Sequence, residues 1–402
     1  MMIPFPTVYR LILNREFRNY SLCIVQMTSS KKKKIVVCLP VSKYNEGYFL
    51  FTSRFESWNF SSDHFTIVKV DYFRGFFFWV WSFLHRRARR LCYNENYVIA
   101  YGSKKGRKLF YKSNRYMMRR GLHFDGQKIH NFPNLLYGWQ SPITEKVVQV
   151  AIKAKIAIVV HIYYFDLWAE IANLLSNLNF SFDLHVTLVD ESASIKLEIL
   201  KIFPDAQIHM MENCGRDVLP FLILLETEKL SCYDYICKIH GKRSYRQGHV
   251  WWEGDLWRRW LFYDLLGAPG IALKIIRTFD TNSEIGMIGS RAYRYPNRYC
   301  NDKSSLGTNH KMICSIAGRM GVEFQDQNLD FFAGTMFWVR TKALDPIKKI
   351  KLSRDFKRKS HKSLDGEIEH AIERCFPLSV KKSNFHIADF DCVLEEKNEK
   401  EL

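Results

Sequence analysis

The sequence predicts an α/β fold. It consists of a Rossmann-type, mostly parallel sheet in the C-terminal part, preceded by a smaller, basic α/β N-terminal region. Three observations predict it. From residue 151 on, short apolar runs alternate with segments of helical spacing, the pattern of βαβ units. Polar and charged residues cluster just after those runs, where ligands of open parallel sheets bind. Charge is also segregated: residues 1–150 carry 25 Lys and Arg against 8 Asp and Glu, a net of +17 out of +19 for the chain.

Composition sets the broad class. Hydrophobic residues make up 47% and charged residues 25% of 402, the balance of a globular protein with a large core. No apolar run approaches the ~20 residues of a spanning helix; the longest is FFFWVWSFL at 76–84. The start carries no secretory h-region with a cleavage site. The ten cysteines form no CxxC pair, which reads as reduced, buried thiols in a cytosolic protein.

Residues 1–34 end in SSKKKK and read as a poorly ordered lead-in, with Met27 a second possible start. Residues 35–145 form a basic, aromatic-rich region. In it IVVCLPV (35–41) and FTIVKVDY (65–72) are strands by their β-branched content. YFRGFFFWVWSFLHRRARR (72–90) sets aromatics directly before Arg86, Arg87, Arg89 and Arg90. As an interfacial helix it would put rings into a headgroup layer and guanidinium groups onto lipid phosphates. As a core helix it would bury the rings. A second basic run, 102–120, interleaves aromatics with cations, as single-strand nucleic-acid binders do. No nucleic-acid motif accompanies it, so an anionic membrane surface, met through 72–120, ranks above nucleic acid as the partner. A well-solvated basic surface is the plainer alternative. Residues 121–150, with Pro133 and Pro142, read as a linker.

The C-terminal part follows in order. IAIVVHIYY (156–164) is a strand and DLWAEIANLLSNL (166–178) a helix. FDLHVTLVD (182–190) is a second strand, IKLEILKIF (195–203) a helix and AQIHMM (206–211) a third strand. VLPFLILLETEKL is a helix whose start Pro220 limits, and YDYICKI (233–239) is the fourth strand. The carboxyl ends then deliver His161 and Tyr163, Asp190, the run Asn213, Gly215, Arg216 and Asp217, and the run Lys238, His240, Lys242, Arg243 and Ser244.

Each of these has a structural and a functional reading. Asp217 is a natural helix cap; Arg216 suits a carboxylate or phosphate; Gly215 permits a positive φ. The cations of KIHGKRS (238–244) would stabilise a departing diphosphate as a metal does, or form a solvated loop. His240 would donate to a phosphate or move a proton. No cluster has metal-ligand spacing, so no metal or other cofactor is expected, with Mg or Mn left open. FFAGTMFWVR (331–340) is a strand interrupted by Gly334, a mark of close approach; Gly334, Thr335 and Trp338 are candidates for substrate contact, and a core strand closed by surface Arg340 is the alternative. LDGEIEHAIERCF (364–376) is a helix start with Asp365 at the cap, Glu367 following, Asp365, Glu369 and Glu373 in one row, and His370 and Arg374 on the next face.

In this order, NCGRDVLPFL, YDYICKIHGKRS, FFAGTMFWVR and LDGEIEHAIER resemble the rhamnan synthesis F family of bacterial polysaccharide glycosyltransferases, over about 152–380. The resemblance implies a GT-A-like fold and inverting transfer of a sugar, typically rhamnose from dTDP-L-rhamnose. The acceptor would be a lipid-linked or growing cell-surface glycan such as lipopolysaccharide O-antigen. It implies a cytoplasmic protein, peripheral at the inner face of the cell membrane. KIHGKRS would replace a metal-binding Asp-x-Asp, and Asp365, with Glu367 second, would be the base. Residues 381–402 would be a tail. The competing readings are a non-catalytic binder of anionic membrane or nucleic acid, and an inactive relative that partners another transferase.

Overall fold

The computed structural model describes residues 6–14, 22–30, 34–40, 47–53, 57–62, 65–84, 90–93, 97–100, 134–135, 138–139, 149–189, 193–246, 249–268, 270–297, 301–356 and 365–389. The chain divides into two compact units, residues 1–130 with 245–253, and residues 131–244 with 254–402.

The first unit holds β1 (Pro6–Leu13), β2 (Leu22–Ser29), β3 (Lys34–Pro40), β4 (Gly47–Ser53), β5 (Trp58–Ser61), β6 (Phe65–Lys69), α1 (Tyr72–Leu84), β7 (Arg90–Tyr93) and β8 (Tyr97–Ala100). Five strands form one sheet in the order β6-β1-β4-β8-β7, and three form another, β3-β2-β5. The described pairings within both are antiparallel. Alternation along β1 sends Leu11 and Leu13 into a core shared with Val25 and Met27 of β2, Trp58 and Phe65. It sends Val8 to the other face, against Phe51 and Trp79 of α1. A side chain at Gly75 would meet Val8 at 3.1 Å, so this glycine lets α1 lie close on the sheet.

Two expectations are corrected here. The lead-in is not unstructured, because β1 and β2 both lie in it. The small α/β unit is a pair of antiparallel sheets with one described helix. Of the basic segment, Arg86, Arg87, Arg89 and the run 102–120 lie outside the described residues, and Arg90 opens β7 rather than continuing α1. No described helix is long and apolar enough to cross a membrane.

The second unit holds β9 (Ile156–Ile162), α2 (Trp168–Ser176), β10 (Asp183–Leu188), α3 (Ala193–Ile202), β11 (Gln207–Met210), α4 (Val218–Glu226) and β12 (Tyr235–His240). The short pair β13 (Ser244–Arg246) and β14 (His249–Trp251) falls, but for Ser244, in the first unit; the second unit resumes within α5 (Trp252–Phe262) and goes on with α6 (Ile271–Thr281), β15 (Ile285–Gly289), β16 (Arg294–Tyr295) and α7 (His310–Arg319). Short helices at Asp302–Leu306 and Asp345–Lys349 apart, the rest is β17 (Phe331–Phe332), β18 (Phe337–Arg340), α8 (Ile368–Lys382) and β19 (His386–Asp389).

Seven strands form its sheet in the order β11-β10-β9-β12-β18-β15-β19. The pairs run parallel except those of β18, which lies antiparallel to both neighbours. The fold is therefore mixed α/β with a large, mostly parallel sheet. Every residue of β9 and of β12 is buried, which explains their continuous apolar runs. The strand order turns back at β9: β10 and β11 lie on one side of it and β12 on the other. That is the switch point where open sheets take their ligands.

Two further segments depart from expectation. The linker is partly docked: Leu135 and Trp139 are buried, Asn173 Nδ2 donates to the Trp139 carbonyl at 2.7 Å, and a Cβ at Gly267 would stand 2.2 Å from the Trp139 ring. The segment read as a tail supplies β19, an edge strand of the main sheet.

Candidate functional site

The carboxyl ends of β9 and β12 lie side by side, with His161 opposite His240 in the register. Beneath the rim, Lys238 Nζ donates to Asp217 Oδ2 at 2.6 Å and to the Thr335 carbonyl at 2.8 Å. Asp217 Oδ1 stands 3.3 Å from His240 Nδ1. His240 Nε2 donates to the Gly334 carbonyl at 2.8 Å. His161 Nδ1 lies 2.9 Å from Thr187 Oγ1. All of these side chains are buried.

This network ties together two tight turns. Gly215 and Arg216 both have positive φ, 61° and 53°, and so do Gly334 and Thr335, 100° and 52°. Left-handed backbone costs a side-chain-bearing residue about 1–2 kcal/mol, and it persists where the surroundings enforce it. The enforcement is visible. A Cβ at Gly215 would fall 2.4 Å from the Phe356 ring. Glu373 of α8 accepts from Gly334 N at 2.7 Å and from Thr335 Oγ1 at 2.8 Å.

Burial fixes the electrostatics. It pushes the His240 pKa down to about 3 against the upward pull of the Asp217 carboxylate, with the Lys238 and Lys242 charges adding to the fall. Burial likewise holds His161 at about 4. For Asp217 burial acts upward, but the neighbouring His240 and Lys238 outweigh it and hold the carboxyl well below its usual range. Asp217 is thus a buried carboxylate salt-bridged to a lysine. It occupies the N-cap position of α4, yet makes no side-chain capping bond.

The exposed tips of the rim are Tyr163, Asn213 and Arg216. The Arg216 side chain is 49% exposed; its Nε lies 3.2 Å from Glu369 Oε1, and its Nη1 lies 2.9 Å from His370 Nε2. Burial raises the Glu369 pKa despite that guanidinium, and lowers that of His370 to about 4, with Arg216 adding to the effect. Lys242 sets its ammonium 4.1 Å from the centre of the Trp257 ring, and Trp257 stacks on Tyr293. Arg243 pairs with Asp166. Ser244 is half-buried, and Gly254 lets α5 approach it: a Cβ there would stand 2.2 Å from Ser244 N.

Other expectations are revised. Lys238 does not present its charge at the rim, because Asp217 neutralises it below the surface. Trp338 is fully buried in the core, and its Nε1 donates to the Leu265 carbonyl at 2.9 Å. Arg374 is also buried, donating to the Ser305 carbonyl at 2.9 Å and the His370 carbonyl at 2.6 Å. Arg340 is no surface closure: it donates to the Ile285 carbonyl at 2.7 Å. The cap of α8 is Glu367, two residues later than Asp365, and His370 completes a capping box. Asp365 instead accepts from Asn309 Nδ2 at 2.8 Å and Thr308 N at 3.2 Å. Against the upward push of burial, these bonds and the Arg374 charge hold its pKa below normal. Cys214, Cys237 and Cys375 are buried, whereas Cys232 is exposed. Asp190 lies outside the described residues. Among those described, no three His, Cys, Asp or Glu side chains converge as a metal site would require.

Sequence reading missed Arg258. It is fully buried in α5, where Nη2 donates to Glu170 at 2.9 Å and Nη1 to Asp255 and to the Lys242 carbonyl. It therefore clamps the loop that follows β12. Its signal was an arginine within the apolar spacing of DLWRRWLF, where an unpaired charge would not survive burial.

Comparison with known proteins bears on this arrangement. Two curated relatives, each described as "Uncharacterized protein WxcX" and each from a strain of Xanthomonas campestris pv. campestris, are 25% identical over 241 residues. That is 59% of this chain and 33% of each relative, so the alignment spans about a third of their length. The profile of a family described as rhamnan synthesis protein F matches residues 123–384. The match begins before residue 152 and so takes in the docked segment around Trp139. It also contains both tight turns, the Lys238–Asp217 pair and the whole of α8. With more than half of its length matched, the chain belongs to the rhamnan synthesis protein F family.

Proposed function

We propose that the second unit is a glycosyltransferase module of polysaccharide synthesis. It transfers a sugar, rhamnose by the family's description, from a nucleoside diphosphate such as dTDP to a lipid-linked or growing cell-surface glycan. The observation that carries this reading is the meeting of two strained turns, 215–216 and 334–335, at the switch point between β9 and β12. Support for a GT-A-like fold comes from the one reversed strand, β18, in an otherwise parallel sheet.

In this mechanism Arg216 and Lys242 face the diphosphate and offset its charge as the glycosidic C–O bond breaks. The buried Lys238, Asp217 and His240 do not touch it; they hold the turns in register. The acceptor oxygen attacks the anomeric carbon from the opposite side, with inversion, and its proton passes to a carboxylate at the head of α8. Geometry favours Glu369 over Asp365 for that role. Glu369 binds a proton more readily than usual, whereas Asp365 is committed to Asn309 and Thr308. No step calls on a metal ion.

The test is donor binding. Calorimetric titration of the full chain with dTDP, UDP and GDP should show one preferred nucleotide, and Arg216→Ala should weaken it about tenfold or more. Absence of binding to every nucleoside diphosphate, in a chain that is folded, would sink the reading and leave a non-catalytic role in polysaccharide synthesis.

A further inference from the structure

Helix α1 has two faces of opposite fate. Gly75, Phe78 and Trp79 turn toward β1 and β4, where Trp79 packs on Phe51 at 5.2 Å and Phe78 on Phe49 at 4.6 Å between ring centres. Tyr72, Phe73, Phe76, Phe77 and Val80 recur at the spacing of a single helical face. They are 55%, 84%, 48%, 67% and 37% exposed. On the sheet face that α1 packs against, Ile12 of β1 and Val68 of β6 are exposed as well, with exposed Arg10 paired to Val68 in the register.

A run of exposed aromatics of this kind is uncommon on a monomer and marks a docking surface. Two properties define what docks. The occupant must be apolar at the point of contact, since rings and aliphatic side chains present no polar recognition. It must also be anionic over a wider area, because residues 1–150 carry a net of +17. A bilayer with anionic headgroups has both properties. Single-stranded nucleic acid offers the charge and stacking faces but gains nothing from Val80, Val68 or Ile12. A protein partner would match the patch without drawing on the charge.

We infer that the outer face of α1 is an interfacial anchor for anionic membrane. The helix lies in the plane of the interface, its rings reach past the headgroups, and the basic residues of the N-terminal region meet lipid phosphates. This inference does not rest on the proposed transfer reaction, and nucleotide binding to the second unit is measured independently of it.

Co-sedimentation of the full chain with vesicles tests it. The vesicles are phosphatidylcholine, alone or with about one-third phosphatidylglycerol. The chain should pellet with the mixed vesicles and remain mostly soluble with the neutral ones. Phe73→Ser combined with Phe77→Ser should lower the partition coefficient by about 10- to 100-fold, the worth of two withdrawn rings. Both positions are exposed, so the core is spared. Phe73→Trp keeps the apolar face and adds a reporter. Its emission, taken as the difference from wild type, should shift to the blue on binding. Three outcomes overturn the inference: wild-type partitioning by the double serine variant, an unshifted difference emission from vesicle-bound Phe73→Trp protein, or a vesicle-free dimer that the double variant splits. Tight binding of a single-stranded oligonucleotide lost in the same variant would overturn it as well.

Discussion

Lys238 of β12 and Asp217 at the head of α4 meet at 2.6 Å with both side chains almost wholly withdrawn from water. The pair sits at the junction of everything that shapes the rim. Removing one partner strands a charge in a low-dielectric interior, which costs about 3–5 kcal/mol. Asp217→Ala should therefore lower the denaturation midpoint severely. Lys238→Met with Asp217→Leu should recover much of the loss, because an apolar pair of similar size needs no compensation. Unchanged stability in the single variant would mean that water reaches the pair.

The left-handed backbone at Arg216 separates strain from charge. Arg216→Gly and Arg216→Ala both remove the guanidinium. Only glycine relaxes a φ of 53°, so the glycine variant should be more stable than the alanine variant by about 1 kcal/mol. Both should lose nucleotide affinity alike. Equal stabilities, read from urea melts, would show that the turn is unstrained.

Glu369 and Asp365 should part company in assays of sugar transfer. Glu369→Gln should reduce turnover about 10²- to 10⁴-fold with little change in donor affinity, as loss of a general base does. Asp365→Asn should act mildly, through the Asn309 and Thr308 contacts. The reverse ranking would return the role of base to Asp365.

Trp338 offers a check on the core assignment. Trp338→Phe should destabilise the protein, since a fully buried indole that donates to Leu265 is lost. It should leave donor affinity in the folded protein unchanged. A raised KM at unaltered stability would instead place the ring at the substrate.

Acid should weaken the fold through its buried histidines. His161, His185 and His240 are held at about 4, 4 and 3, in each case first by burial. An unfolded chain protonates these rings near pH 6.5, whereas the folded one does not until much lower. Between those limits the unfolded state binds more protons, so stability falls as pH drops from about 6.5 toward about 4. Each ring contributes a slope of about 1.4 kcal/mol per pH unit. His161→Gln should flatten the profile of denaturation midpoint against pH by one such increment, and an unaltered slope would mean the ring already titrates in the folded state.

By itself the sequence determined the strand and helix order from β9 to β12 and which residues follow those strands. Fully buried parallel strands must be short, apolar and separated by helices, so β9, β10 and β12 could be read directly. The glycine of NCGRD marked a place open to a positive φ and that of FFAGT an interruption with close approach; the structure gives both positive φ. Tertiary structure alone decided the rest. The first unit was misread because its strands pair across long separations: β1 lies between β4 and β6, and no local pattern announces a partner some fifty residues away. The sign and use of each charge were equally hidden. Lys238, Lys242 and Arg243 look alike along the chain, yet one is buried on a carboxylate, one lies over an indole and one pairs with Asp166. What a charge does depends on the dielectric and the partners around it, and distant segments bring both.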